Sequence, residues 1–170
     1  RRMIFIPVED DNAGRLSDKV NVAEADMAAD IVRRIYRFYG ERFDPDKTIG
    51  VIVPYRNQIA MIRRRLAALG ISALDRISID TVERFQGSQR DVIIYSFTVH
   101  RRSQLAFLTA NTFIENGRVI DRKLNVAVTR ARRQMIITGN PALLGGNAVF
   151  ASLMRACAWP ESCNGREMAK

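Results

Sequence analysis

The chain has 170 residues, 47% of them hydrophobic, which suits one domain around a single core. No apolar run reaches the ~18 residues that a membrane helix needs, and the N-terminus lacks the apolar core of a signal peptide. A domain with no membrane partner is therefore expected, located in the cytoplasm, or at the nucleoid if the source is bacterial. The net charge is +9, from 27 basic and 18 acidic side chains, and lysine supplies only Lys19, Lys47, Lys123 and Lys170.

A planar guanidinium grips phosphate with two parallel hydrogen bonds, so an arginine-dominated surface favours polyphosphate or nucleic acid. Genomic base composition can exchange Lys for Arg as well, so charge alone leaves both readings open. The excess is unevenly spread: residues 1–50 carry 9 basic and 10 acidic side chains, 51–121 carry 10 and 6, and 122–170 carry 8 and 2.

The run MIFIPV, Met3 to Val8, is short, apolar and followed by the turn-like EDDNAG, as a buried strand would be. It begins almost directly after Arg1, which is read as a piece of something longer. Asn21 with Glu24 makes a capping-box-like helix start, and Ala28, Ile31, Val32, Ile35 and Tyr39 follow at helical spacing as far as Gly40. TIGVIV is a second apolar run; after Pro54, the residues Ile59, Ile62, Leu66 and Leu69 keep a helical period up to Gly70.

ISID (77–80), a polar turn containing Gly87, DVIIYSF (91–97), an amphipathic helix over 124–133 and the run QMIITG continue the alternation. Strands this apolar, without alternation, must be covered on both faces, which crossover helices do in a parallel sheet. The predicted class is α/β, a mostly parallel sheet flanked by helices. Between Thr98 and Arg122 the periodicity fades, and ENG reads as a turn within a surface excursion over about residues 98–122.

Cys157 and Cys163 have no second pair and no nearby histidine, so they read as reduced, incidental thiols and no metal site is predicted. His100, beside Arg101 and Arg102, reads as a surface residue at a strand end.

Neither G-x-x-x-x-G-K-[ST] nor G-x-G-x-x-G occurs, so the chain cannot cradle a nucleotide alone in the phosphate-loop manner. Its arginines after strands, at the edge where such sheets bind ligands, could instead complete a site on a neighbouring domain.

Three stretches carry a family pattern. LNVAVTRARRQMIITGN resembles motif VI of superfamily 1 helicases, in the branch with the nonsense-mediated-decay helicase and the replication-maturation helicase-nucleases. SIDTVERFQGSQRDVIIYS resembles that branch's motif V, and IGVIVPYRNQIAMIRRRL its motif IV. They come in the family's order and, with their connections, cover Met3 to about Pro141. The resemblance implies the second, C-terminal RecA-like domain of a superfamily 1B helicase. ATP with Mg2+ would be held mainly by the N-terminal RecA-like domain of the same chain, which carries the phosphate loop and the Mg-binding carboxylates. The family moves 5′ to 3′ along single-stranded DNA or RNA.

Residue by residue, the resemblance implies that Arg130 reaches across the cleft to the γ-phosphate as an arginine finger, with Arg133 as a further nucleotide contact; a solvated helix end accounts equally for Arg132 and Arg133. It implies that Tyr55 stacks on adenine and that Arg56 is a second γ-phosphate contact, part burial at a strand end being the plainer account of Tyr55. Gln86 and Gly87 would form a turn close to phosphate, or simply a tight turn. Gln89 stands where the family often has Glu; an amide can hydrogen-bond a ribose or a water but cannot act as a base. Thr81 and Arg84 would grip the backbone of a single strand, whereas Arg63, Arg64 and Arg65 read as a solvated helix face. The rival readings are a basic single-strand-binding module without ATP, and a relative that remodels complexes without unwinding.

Overall fold

The structure is a computed structural model and describes residues 2–9, 19–85 and 87–160, with only the backbone of Arg118. In chain order the elements are β1 (Met3–Pro7), α1 (Val22–Tyr39), β2 (Ile49–Ile52), α2 (Arg56–Ala67), β3 (Ser78–Asp80), β4 (Arg90–Ser96), α3 (Ser103–Leu108), β5 (Thr112–Glu115), β6 (Arg118–Asp121), α4 (Arg122–Thr129), β7 (Ala131–Gly139), α5 (Pro141–Leu144) and α6 (Ala148–Ala156). Five strands form one sheet in the order β1-β7-β4-β2-β3, every neighbouring pair parallel.

The absence of alternation in the strands has the predicted cause. One face packs Val51, Val53, Ile79, Val92, Ile94 and Ile136 against Ala25, Ala28, Val32, Ile62 and Leu66 of α1 and α2. The other packs Phe5, Ile52, Ile93, Tyr95, Met135 and Ile137 against Leu124 and Ala127 of α4 and Phe150, Leu153 and Met154 of α6. Gly50 lacks a Cβ for a steric reason: the Phe85 ring occupies that space, its Cε1 only 2.7 Å from where a Cβ would stand.

The start of α1 departs from the predicted capping box. Asn21 does cap the helix, its Oδ1 accepting from the Glu24 N–H at 2.8 Å. The return bond from Glu24 is replaced, because the Asn21 N–H donates to Gln58 Oε1 and Gln58 Nε2 donates to the Asn21 carbonyl, both at 2.9 Å. The freed Glu24 carboxyl is fully buried and accepts from Ser96 Oγ at 2.6 Å, from the Thr98 N–H at 3.0 Å and from Thr138 Oγ1 at 3.3 Å. One side chain thus ties α1 to the ends of β4 and β7.

Four other expectations change. The 98–122 excursion holds a short helix and an antiparallel hairpin, β5 with β6, turning at Asn116 and Gly117 with φ of 51° and 72°. The helix expected over 124–133 stops at Thr129, and Arg132 and Arg133 belong to β7. Of the supposedly solvated arginines, Arg63 donates to the carbonyls of Asp75 and Ile77 at 2.9 and 2.8 Å, and Arg65 pairs with Asp26 at 2.6 Å; only Arg64 stays exposed. His100 is half-buried, its Nε2 2.7 Å from the Val20 carbonyl. Burial pushes the Cys157 thiol up to about 11, as suits an unreactive core residue, while Cys163 lies outside the described residues.

Burial raises the Glu24 carboxyl to about 7, against the pull of its hydrogen bonds to Ser96, Thr98 and Thr138. The folded chain therefore keeps a proton that the unfolded chain releases from about pH 4.5 upward. The stability this contributes is complete below the unfolded value and is lost as pH rises through about 7. Urea unfolding should show wild type losing on the order of 3 kcal/mol relative to Glu24→Gln between pH 4.5 and 7.5, since each tenfold change in proton affinity is worth about 1.4 kcal/mol. A wild-type-minus-variant difference that stays flat over that range would return the carboxyl to its ordinary value.

Candidate nucleotide and nucleic-acid surfaces

Because all five strands run the same way, the sheet has one edge of carboxyl ends and one of amino ends, and the predicted site residues divide between them. Tyr55 and Arg56 follow β2 at the carboxyl edge, where Tyr55 is the N-cap of α2 and Arg56 its first, exposed residue. Thr81 follows β3 at the same edge, its N–H held by Asp80 Oδ1 at 2.9 Å. Arg84 lies one turn further on, exposed, with Nε 3.8 Å from Asp80. Gly87 turns with φ of 84° and has no neighbour within 4 Å of a Cβ position, so this backbone conformation is what requires glycine there. Gln86 lies outside the described residues.

At the amino edge, Arg130 caps the C-terminal end of α4 immediately before β7. Its Nε donates to the Val126 carbonyl at 3.1 Å, and its two terminal nitrogens make no further hydrogen bond among the described residues. Gln89 lies beside it: the Arg90 N–H donates to the Arg130 carbonyl at 3.0 Å, and Gln89 Nε2 donates to the Thr129 carbonyl at 3.3 Å. Arg132 Nε reaches Gln89 Oε1 at 3.5 Å. Arg2 joins this edge by donating to the carbonyls of Ala131 and Arg132 at 2.5 and 3.2 Å. Sequence reasoning missed Arg2, since nothing in its local pattern marks it; its place follows from the pairing of β1 with β7.

A β-bulge separates the consecutive arginines of β7. Between the pairs Arg90↔Ala131 and Val92↔Gln134, β4 advances two residues and β7 three. An extra residue re-aims side chains. Arg132 turns to Gln89, whereas Arg133 lies against α1, 3.7 Å from Asp91 and beside Phe38 and Tyr39. Arg133 is thus held on the α1 side of the sheet and does not join Arg130. Tyr39 donates to the same carboxylate at 3.4 Å, and burial together with the Asp91 charge pushes its phenol up.

The geometry corrects the expectation that Arg56 and Arg130 share one γ-phosphate. Ile52, Tyr95 and Ile137 stand at one level of the sheet, and Arg130 lies seven residues before Ile137. At ~3.3 Å per residue that is about 20 Å along the strands, and Arg56 lies further still in the opposite direction. Two arginine side chains cannot close that gap. Tyr55 leaves any Arg130-based nucleotide site for the same reason. Arg130 stands at the amino edge, the reverse of the carboxyl edge at which general α/β geometry placed the candidate arginines.

Lys123 links the excursion to the Thr81–Arg84 turn through its 2.9 Å ion pair with Glu83. Burial alone would raise the Glu83 carboxyl, but hydrogen bonds from Lys123, its own N–H and Thr81, with the Lys123 charge, outweigh it and hold the group below the usual carboxylate range. Among the described residues no three His, Cys, Asp or Glu side chains converge as metal ligands, and no helix is long and apolar enough to cross a membrane.

A family model described as an AAA domain matches residues 1–142. Putative helicase mov-10-B.1 of Danio rerio is 30% identical over 148 residues, which are 81% of this chain and 14% of that protein. DNA polymerase alpha-associated DNA helicase A of Saccharomyces cerevisiae is 31% identical over 156 residues, 90% of this chain and 20% of that protein. Probable RNA helicase armi of Drosophila melanogaster is 37% identical over 109 residues, 64% and 9%. Among solved structures, the C-terminal domain of a possible DNA helicase from Lactobacillus plantarum WCFS1 aligns with a TM-score of 0.48 at 14% identity, over 88% of this chain and 83% of that one. The chain spans at most 20% of the length of these curated relatives. A family match running over most of the residues, with helicases as relatives, places this chain in the AAA domain family as a helicase-type domain.

Proposed function

We propose that this chain is the C-terminal motor domain of an ATP-dependent helicase or translocase. Its amino edge completes an ATP site carried by a phosphate-loop domain, and its carboxyl edge grips single-stranded DNA or RNA. The observation that carries the first half is Arg130: a helix-end arginine with both terminal nitrogens uncommitted among the described residues, beside Arg2 and Arg132, on a domain without a phosphate loop.

Donors aimed at a phosphoryl group fit this edge, and Mg ligands do not, since no carboxylates cluster there among the described residues. Bound ATP with Mg2+ supplies the phosphoryl group and the metal that neutralises its oxygens. The Arg130 fork neutralises charge that develops on the equatorial oxygens during transfer, where closure against the second domain excludes water and strengthens the interaction. On this reading Gln89 exchanges its long contacts with Thr129 and Arg132 for a hydrogen bond to a ribose or a water and, being uncharged, takes no proton. At the opposite edge, Thr81 and Arg84 contact phosphates of the strand, which binds without sequence preference.

The chain alone should release no phosphate from ATP above background, with or without single strands. DNA-stimulated turnover by purified 1–170 would overturn the two-domain reading. In a protein that carries this domain with its phosphate-loop partner, Arg130→Ala should lower the strand-stimulated kcat by at least ~10² while changing KM and strand affinity far less, since the contact strengthens as charge develops. Arg130→Lys should rescue little, because an ammonium does not reproduce the planar fork. Melting curves should match wild type, and a kcat within about threefold of wild type in a folded Arg130→Ala protein would remove the assignment.

The carboxyl edge is tested by fluorescence anisotropy of the chain with a labelled single strand at several salt concentrations. Affinity should fall steeply with salt, and Arg84→Ala should lower the log–log slope by about one. Binding indifferent to salt would dismiss the phosphate grip.

A further inference from the structure

The excursion between β4 and α4 carries aromatic and cationic side chains that the activity proposed above does not use. Tyr55 and Phe107 lie ring on ring, with centroids 5.6 Å apart and planes 16° from parallel. Phe107 nevertheless keeps 53% of its surface exposed, while Phe5, Phe85, Phe97 and Phe150 are almost wholly buried. Lys123 Nζ stands 5.5 Å from the Phe107 centroid, and the Arg122 guanidinium 5.0 Å from that of Phe113. Arg56 and Arg122 are exposed on the first turns of α2 and α4.

The stack has defined support. Gln104 Nε2 donates to the Tyr55 hydroxyl at 3.4 Å, and Gln104 Oε1 accepts from the N–H groups of His100 and Arg101 at 2.8 and 3.0 Å, so α3 holds Phe107 in register with Tyr55. The surface also runs on without a break into the Thr81–Arg84 turn, because Lys123 bridges from the Phe107 ring to Glu83.

We infer that the Tyr55–Phe107 pair is a stacking platform for a base of the single strand, with Arg56 and Arg122 taking the flanking phosphates. This rests on reading the carboxyl edge as the strand side. Aromatic faces interleaved with cations suit a nucleobase joined to phosphates: the rings accept any base face, and the cations follow the backbone. Glu83, the carboxylate nearest the rings in this chain of contacts, is already neutralised by Lys123. The adenine of an ATP held by Arg130 is not the occupant, since about 20 Å of sheet separates the two edges.

The test compares a thymidine oligonucleotide of about fifteen nucleotides with an abasic strand of the same length, which keeps the phosphates and removes the rings. The chain should bind the thymidine strand several-fold more tightly than the abasic one. Phe107→Leu should lose about tenfold on the thymidine strand and almost nothing on the abasic strand, and Phe107→Tyr should keep wild-type affinity. Equal loss on both strands, or none on either, overturns the platform. If Phe107→Leu changes nothing while wild type still binds with steep salt dependence, the platform falls and the phosphate grip stands. If wild type binds neither strand, the grip falls and the platform with it. Phe107 is half exposed, so the melting temperature should not move in either variant.

Discussion

The common direction of the five strands is the constraint on which every site assignment depends. Phe5, Ile137, Tyr95 and Ile52 stand side by side across the sheet, all buried, with apolar layers above and below. Side chains alternate between faces with a period of two, so slipping one strand by a residue would exchange its two packing layers. Register is fixed by that core, and register in turn fixes which residues leave the sheet at which edge. Tyr55, Thr81 and Thr98 follow carboxyl ends; Arg2, Gln89 and Arg130 precede amino ends. No side-chain rearrangement can move a residue from one set to the other.

The carboxyl edge is organised by a polar anchor. Burying a carboxyl is costly unless its oxygens find donors, and Glu24 finds them on Ser96, Thr98 and Thr138. The arrangement places Thr98 at φ of 55°, uncommon for any residue but glycine and a strained conformation for a β-branched one. Its N–H is thereby aimed at Glu24, and the chain is turned off the end of β4 into the excursion that seats α3 and Phe107 beside Tyr55. Gln58 clamps the Asn21 backbone on the same side, so α1, α2 and the two central strands meet at one buried polar cluster.

Long apolar segments with a clear period were legible in the sequence: β1, β2, β4, α1 and α2 stand close to where their runs and caps predict, and so does the mostly parallel sheet. Short elements without an apolar face of their own were not. β5 and β6 leave Ile114 and Val119 in solvent, so alternation between a buried and a wet face never develops in their sequence. The helix before β7 is shorter than its sequence suggests because Arg130, Ala131 and Arg132 are all acceptable helix formers, and pairing with β4 overrides that preference. Motif spacing marked Arg130, Gln89 and Tyr55 as notable, but spacing along a chain carries no information on which sheet edge a residue reaches. That requires strand direction and order, and the separation of Arg56 from Arg130 follows from both. The bulge that parts Arg132 from Arg133 was equally invisible, being a property of two paired strands.

The two ends of helix α4 bear on the two proposed surfaces. Its first turn carries Lys123, in contact with Phe107 and Glu83 at the carboxyl edge, and its C-cap is Arg130 at the amino edge. Eight helical residues make a rod of about 12 Å, fixed to the sheet by Leu124 and Ala127 and capped by Asp121, whose Oδ1 accepts from the Leu124 N–H at 2.7 Å. A rod this short does not bend, so a displacement of one end relative to the sheet must appear at the other. If the strand and the phosphoryl group bind where proposed, the helix joins them by rigid geometry, and no chain of separate side-chain movements is needed to link grip with hydrolysis. The buried N-cap then matters as much as the half-buried arginine: on that proposal Arg130 can be no better positioned than the first turn that holds its helix in place.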